Sequence, residues 1–238
     1  MDRFQNLDRT IRALAKQSME MGSPEEWARQ FWEKYANPEM TQDGKTHLIS
    51  SPISPASLVA LFAMQDALSS NTDFSCLARK ALDIAQNDFD MDQALRAILL
   101  KANELKVFPP DLLIEFNNRI INGYQRPPTK SGERSWKYRG LNLVCLMMLL
   151  VLTHENGHSL KATRSQDYQK NTACDLVSFA TERYDWAYRT YSAVEKLWKY
   201  RERHSDELEV LLTVKHLQSS ELPITVDEAM NLLDRLKA

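Results

Sequence analysis

Glycine is scarce in this chain, six residues in 238. Sandwiches and barrels spend glycine at their many turns and bulges, so the shortage argues against them. The abundance of Leu, Ala, Lys, Glu, Arg and Gln points instead to helix. Cysteine is nearly as thin: Cys76, Cys145 and Cys174 are odd in number, far apart and set among apolar neighbours. That pattern argues against a disulfide framework and suits reduced core thiols in a cytoplasmic protein. Long hydrophobic runs are missing too. The longest, residues 143–152, falls short of the span a bilayer needs, and the opening "MDRFQNLDRT" is too acidic for a signal or transit peptide. The expectation is a soluble protein with no membrane partner.

What is present is enough apolar surface, 43% of residues, to bury a substantial core. The net charge of −2 hides three blocks: −5 over residues 1–118, +7 over residues 119–203 and −4 over residues 204–238. Two explanations stand side by side. The blocks neutralise one another by packing, or the basic middle faces a polyanion.

Apolar spacing predicts an all-α, multi-helix bundle. Phe4, Leu7, Ile11, Leu14 and Ala15 recur at helical intervals over residues 4–20. "SPEEWARQFWEKYA" opens with Ser23 as N-cap, Pro24 at the first helical position and Glu26 at the third. It then carries Trp27, Phe31, Trp32 and Tyr35 as an aromatic stripe of the core. Residues 37–55 read as a loop. Helices follow from Ser54–Pro55, over 73–87, over 91–105, and from the proline pair at 109–110 to a stop at Gly123. "QRPPTKSGERS", residues 125–135, is the expected linker between an acidic N-terminal bundle (1–124) and a C-terminal region (136–238). Beyond it, residues 136–156 form a helix apolar almost all round over 143–152. Further helices are expected over 171–183, 190–203 and 206–219, and the last starts at Thr225 with Glu228 as capping partner. No strand and no internal repeat is evident.

"LVLTHENGHSL" holds the letters of a zinc peptidase. His154 and His158 stand four apart, so on a helix they would share a face and ligate zinc, with Glu155 as general base. Against this, Gly157 and the aperiodic text after it predict that the helix ends at Asn156. A third ligand is also needed, and Asp167, Asp175 and Glu182 lie downstream without a signature context. A helix end, with His154 complementing the dipole, is the preferred reading. Zinc hydrolysis is the alternative.

The text that follows carries a different chemistry. A loop with Lys161 and Arg164 precedes a helix containing Ala173, Leu176, Val177 and Ala180; a second helix then packs Val194, Leu197 and Trp198. Opposite that packed side lie Ser192, Lys196, Lys199 and Arg203, with Arg189 ahead of them. A small, apolar first helix crossed closely by a second with polar and cationic outward residues is what a helix-turn-helix requires, here over about residues 171–203. Tyr184, Trp186, Tyr188, Tyr191 and Trp198 interleave with Arg183, Arg189, Lys196 and Lys199, as suits base stacking or a protein interface.

The elements "KATR" (161–164), "ACDLV" (173–177) and "VEKLWKYRE" (194–202) resemble the C-terminal pattern of uncharacterised bacterial helical proteins, many from mobile or prophage-like contexts. The resemblance spans roughly residues 109–203. It implies a degenerate helix-turn-helix, and it makes "THENGH" the end of the helix before the loop. "TERYDWAYRT" departs from a compact version by lengthening the connection between the two helices.

The leading expectation is therefore a non-enzymatic bacterial or phage-like binding protein, without a cofactor, that meets DNA or a nucleoprotein complex. Lys161, Arg164, Arg189, Ser192, Lys196, Lys199 and Arg203 are its contacts. The alternatives are an inhibitor or assembly subunit that binds a protein through the N-terminal bundle around Trp27 and Trp32, and the zinc hydrolase.

Overall fold

A computed structural model describes residues 5–36, 54–128, 136–165, 171–182, 189–219 and 222–236. Among them the chain is all-α, a multi-helix bundle of eleven helices with no strand. The backbone forms two compact units that interleave in sequence. Unit one comprises Met1–Pro52 and Lys137–Leu212; unit two comprises Ile53–Trp136 and Thr213–Ala238. The expected division at 125–135 thus lies beside one of three crossings. The acidic N-terminal stretch does not form a unit by itself, because its first two helices join the segment that begins at Lys137. Most of the expected linker, residues 129–135, lies outside the described residues, as do Phe4 and most of the loop expected at 37–55.

Unit one contains α1 (Gln5–Glu20), α2 (Pro24–Ala36), α7 (Trp136–Thr153), α8 (Ala173–Thr181), α9 (Tyr191–Lys199) and the first part of α10 (Glu202–Ser219). Ser23 caps α2, accepting from the Glu26 amide at 3.2 Å. The Glu26 carboxylate takes Gln30 at 3.2 Å. α1 buries Leu7, Ile11 and Ala15, and α2 buries Trp27, Ala28, Phe31 and Trp32. The Trp27 and Phe31 rings lie 5.0 Å apart, and α2 packs on both α1 and α8. α7 is buried almost continuously from Leu143 to Leu152, which explains its lack of a polar face.

The N-terminus of α1 is completed from far along the chain. Glu209 of α10, only 5% exposed, accepts the Leu7 amide at 2.8 Å. A first-turn amide has no partner within its own helix, so a carboxylate there satisfies an orphan donor and complements the dipole. Two residues earlier on α10, Glu207 pairs with Arg139 of α7 and with His204.

Unit two contains α3 (Pro55–Ser69), α4 (Ser75–Ala85), α5 (Phe89–Leu105), α6 (Asp111–Ile121) and α11 (Val226–Arg235). α3 is capped by Ser54 with Pro55 in its first turn, is buried nearly all round, and packs on α5 and α11. α11 begins with both halves of a capping box between Thr225 and Glu228. It is tied down by Lys80, which reaches Asp234 at 2.5 Å, and its approach is set by Asp66, which accepts the Ile224 amide at 2.8 Å.

Asp92, fully buried on α5, receives Arg96 at 2.7 Å and Arg126 at 3.2 Å. Arg96 also lies over the Phe116 ring of α6, and Arg126 over Phe89. α6 ends near Gly123, whose φ of +89° is open to glycine at little cost.

No helix among the described residues is long and apolar enough to cross a membrane.

Candidate nucleic-acid interface

The segment leading into the basic region starts where α7 stops. The helix ends at Thr153, three residues before the expected Asn156. The Thr153 hydroxyl turns back to the Leu149 carbonyl at 2.9 Å, and His154 Nδ1 accepts the Asn156 amide at 3.1 Å. Both contacts compete with helical continuation. The chain then reverses, Leu160 N–H reaching the Leu152 carbonyl at 3.0 Å, with Ser159 as the left-handed residue at φ +51°. Residues 155–158 are turn, so His154 and His158 do not share a helical face. Among the described residues no group of three His, Cys, Asp or Glu is arranged to hold a metal. Of the third-ligand candidates, Asp167 lies outside the described residues and Asp175 is engaged by Arg164 and Thr172.

Gly157 is not the cap. A Cβ there would sit 3.1 Å from both the Ala15 Cβ of α1 and the Val151 carbonyl oxygen, so glycine is needed for close approach. The near atoms are a helix backbone and a side chain fixed to it, which give little. Gly157→Ala is expected to lower stability by about 1–2 kcal/mol, the usual cost of mild overpacking. A thermal melt followed by circular dichroism measures it, and an unchanged midpoint would contradict the close approach.

The loop 161–165 is sewn to the start of α8, with the Ala173 and Cys174 amides donating to the Lys161 and Ala162 carbonyls at 2.9 and 3.1 Å. Thr172 and Asp175 form a capping box at the same point. Arg164 closes the arrangement. Its guanidinium meets Asp175 Oδ1 at 3.0 Å through Nε and 2.5 Å through Nη2, and stacks 4.1 Å above the Tyr191 ring. Its backbone amide donates to the Tyr191 hydroxyl at 2.9 Å. Partial burial pushes the Asp175 carboxyl up, but hydrogen bonds from Arg164 and Thr172 outweigh it and hold the group below the usual range. Burial raises Cys174 to about 12 and Cys145 to about 12, so both thiols stay protonated.

Arg189 is similarly committed. Its guanidinium donates to Asn142 of α7 at 3.1 Å, its amide to Thr181 at 2.9 Å, and its carbonyl accepts the Ser178 hydroxyl at 2.8 Å. Arg164 and Arg189, expected as phosphate contacts, fasten the loop, α7 and α8 to the start of α9. The cations with the best structural use in a sequence need not be the ones left for a partner.

α9 is capped by Thr190 and buries Val194, while Ser192, Lys196 and Lys199 point outward, exposed. The single helix expected over 190–203 is broken at Tyr200. Its amide closes on the Lys196 carbonyl at 3.1 Å, and its carbonyl accepts the Arg203 amide at 3.0 Å as α10 begins. Arg203 therefore belongs to α10. It remains next to the α9 face because it stacks on Tyr200 at 4.6 Å, while Lys199 approaches the same ring at 5.8 Å. Arg201 stacks on Trp198 at 4.5 Å and donates to its carbonyl.

A shallow hollow lies along this face, lined by Thr163, Ser192, Glu195, Lys196, Trp198, Lys199 and Tyr200. Tyr200 and Arg201 were not singled out from the sequence, although the alternation "WKYRER" was the available signal. Lys161 is exposed on the preceding loop. Residues 183–188 of the connection between α8 and α9, including Arg183, Tyr184, Trp186 and Tyr188, lie outside the described residues.

No family model, no curated protein and no solved structure matches the chain significantly.

Proposed function

We propose that the protein is a non-enzymatic binding protein of bacterial or phage-like origin that meets nucleic acid, or a nucleoprotein complex, through the α9 face and the start of α10. The observation that carries this reading is the outward cationic set of Lys196 and Lys199, with Arg203 held beside them by Tyr200. A hydroxyl at Ser192 and the part-exposed Trp198 accompany them. Cations at the turn of a short helix neutralise phosphates, while flat aromatic faces next to them offer stacking to a base or a deoxyribose. Lys161 extends the set onto the loop. Arg164 and Arg189 are left out of it, because Arg164 is paired with Asp175 and Arg189 is held by Asn142.

The test is the anisotropy of a labelled duplex titrated with protein at rising sodium chloride. Affinity is expected to fall steeply with salt. Replacing Lys196, Lys199 and Arg203 together by alanine is expected to reduce the log–log slope by roughly 2–3, since each phosphate contact contributes about 0.9. An unchanged slope in the triple variant, or no binding at low salt, would overturn the proposal.

A further inference from the structure

A groove of about 690 Å³ runs along the α5–α6 hairpin of unit two. One wall is the row Arg96, Leu99, Leu100 and Asn103, spaced as one face of α5. The facing wall comes from Ile114, Asn117 and Ile120 of α6. At the loop end stands Phe108, 94% exposed, and Leu100 is 67% exposed. Large apolar side chains lining an open groove between two helices are the usual mark of a surface awaiting a partner. At the other end Arg96 and Arg126 converge on the one carboxylate of Asp92. The groove's lining holds these two arginines and two asparagines, and no carboxylate.

We infer that this groove docks an amphipathic helix of a partner protein, apolar on the face it inserts and bearing carboxylates towards the Arg96–Arg126 end. Charge complementarity selects the occupant. Two guanidiniums share one buried acid, so a partner's Asp or Glu finds an acceptor-poor, donor-rich end, while a basic segment is repelled. The length agrees: seven residues from Arg96 to Asn103 at about 1.5 Å each give some 10 Å, enough for two turns carrying apolar residues at three- and four-residue spacing. This surface is independent of the polyanion reading of α9.

The probe is a fluorescein-labelled synthetic helix with leucines at three- and four-residue spacing and glutamates between them, set against a second peptide with lysine at every glutamate position. Binding to the full chain is read by anisotropy, alongside sedimentation of the protein alone and competition by dodecanoate. The glutamate peptide is expected to bind about tenfold more tightly than the lysine peptide, a difference of the size one or two charge contacts produce. Phe108→Ser and Arg126→Gln, both at exposed positions, are each expected to weaken it by roughly fivefold or more while leaving the circular dichroism spectrum unchanged. Equal binding of the two peptides, no binding of either, displacement by dodecanoate with a tighter affinity than the peptide, or a dimer of the chain abolished by Phe108→Ser would each overturn the inference.

Discussion

Trp32→Ala is expected to cost about 3–5 kcal/mol, the range for deleting a large aromatic from a packed interior. Trp32 is 1% exposed, and Trp27 and Phe31 of the same helix are 2% and 5% exposed. Removing the indole opens a cavity that α2 cannot close by itself, because it is held on one side by α1 and on the other by α8. Urea unfolding followed at 222 nm measures the loss independently of tryptophan emission. A cost under about 1 kcal/mol would mean that the site collapses or that the ring is not in the core. The same burial leaves Trp27 and Trp32 little surface of their own to offer a protein partner. Among the described residues of the N-terminal half, exposed large apolar side chains stand at Met19 on α1 and, in greater number, on α5, α6 and the loop between them, with Leu100, Phe108 and Ile121 the most exposed.

Asp92→Ala is expected to destabilise unit two by about 2–3 kcal/mol. Breaking a buried ion pair by removing one partner typically costs about 3–5 kcal/mol. The lower figure applies because the Arg126 side chain is 41% exposed and can be rehydrated, whereas Arg96 is 19% exposed and cannot turn fully outward. Asp92→Asn keeps the shape, so comparing the two variants by chemical denaturation separates the charge from the packing. If Asp92→Ala matched the parent, the carboxylate would not be organising the two arginines.

Local signals are legible in the sequence, and long-range assembly is not. Thr225 and Glu228 form the box their spacing predicts, Ser54 and Pro55 begin α3, and the helix from the proline pair ends near Gly123. Each depends on contacts within four residues, which the order of the letters contains. α7 stopped early because Thr153 and His154 bonded backbone groups close by, a competition that hydrophobic periodicity does not register. Gly157 was legible as special, but its reason lay in Ala15, more than a hundred residues away.

The candidate interface divides in the same way. Ser192, Lys196 and Lys199 face outward as helical spacing predicts, whereas Arg164 and Arg189 look identical to them as letters. Only the acceptors, Asp175 and Asn142, distinguish a structural arginine from an available one. The interleaving of the two units is not legible either: the loop expected at 37–55 spans the first crossing, but nothing in the letters says that the helices on its two sides belong to different units.

The bond from Leu7 to Glu209 sets an order of events during synthesis. The two residues are 202 apart, and translation proceeds at about 5–20 residues per second, so α1 leaves the ribosome roughly 10–40 s before the carboxylate that completes it. Through that interval the Leu7 amide lacks its final partner, and for roughly the first two thirds of it the segment beginning at Lys137 is also still unmade. While residues 137–212 are still being made, the apolar stripe of α1 thus lacks part of its eventual cover, the condition under which a chaperone can hold a nascent segment.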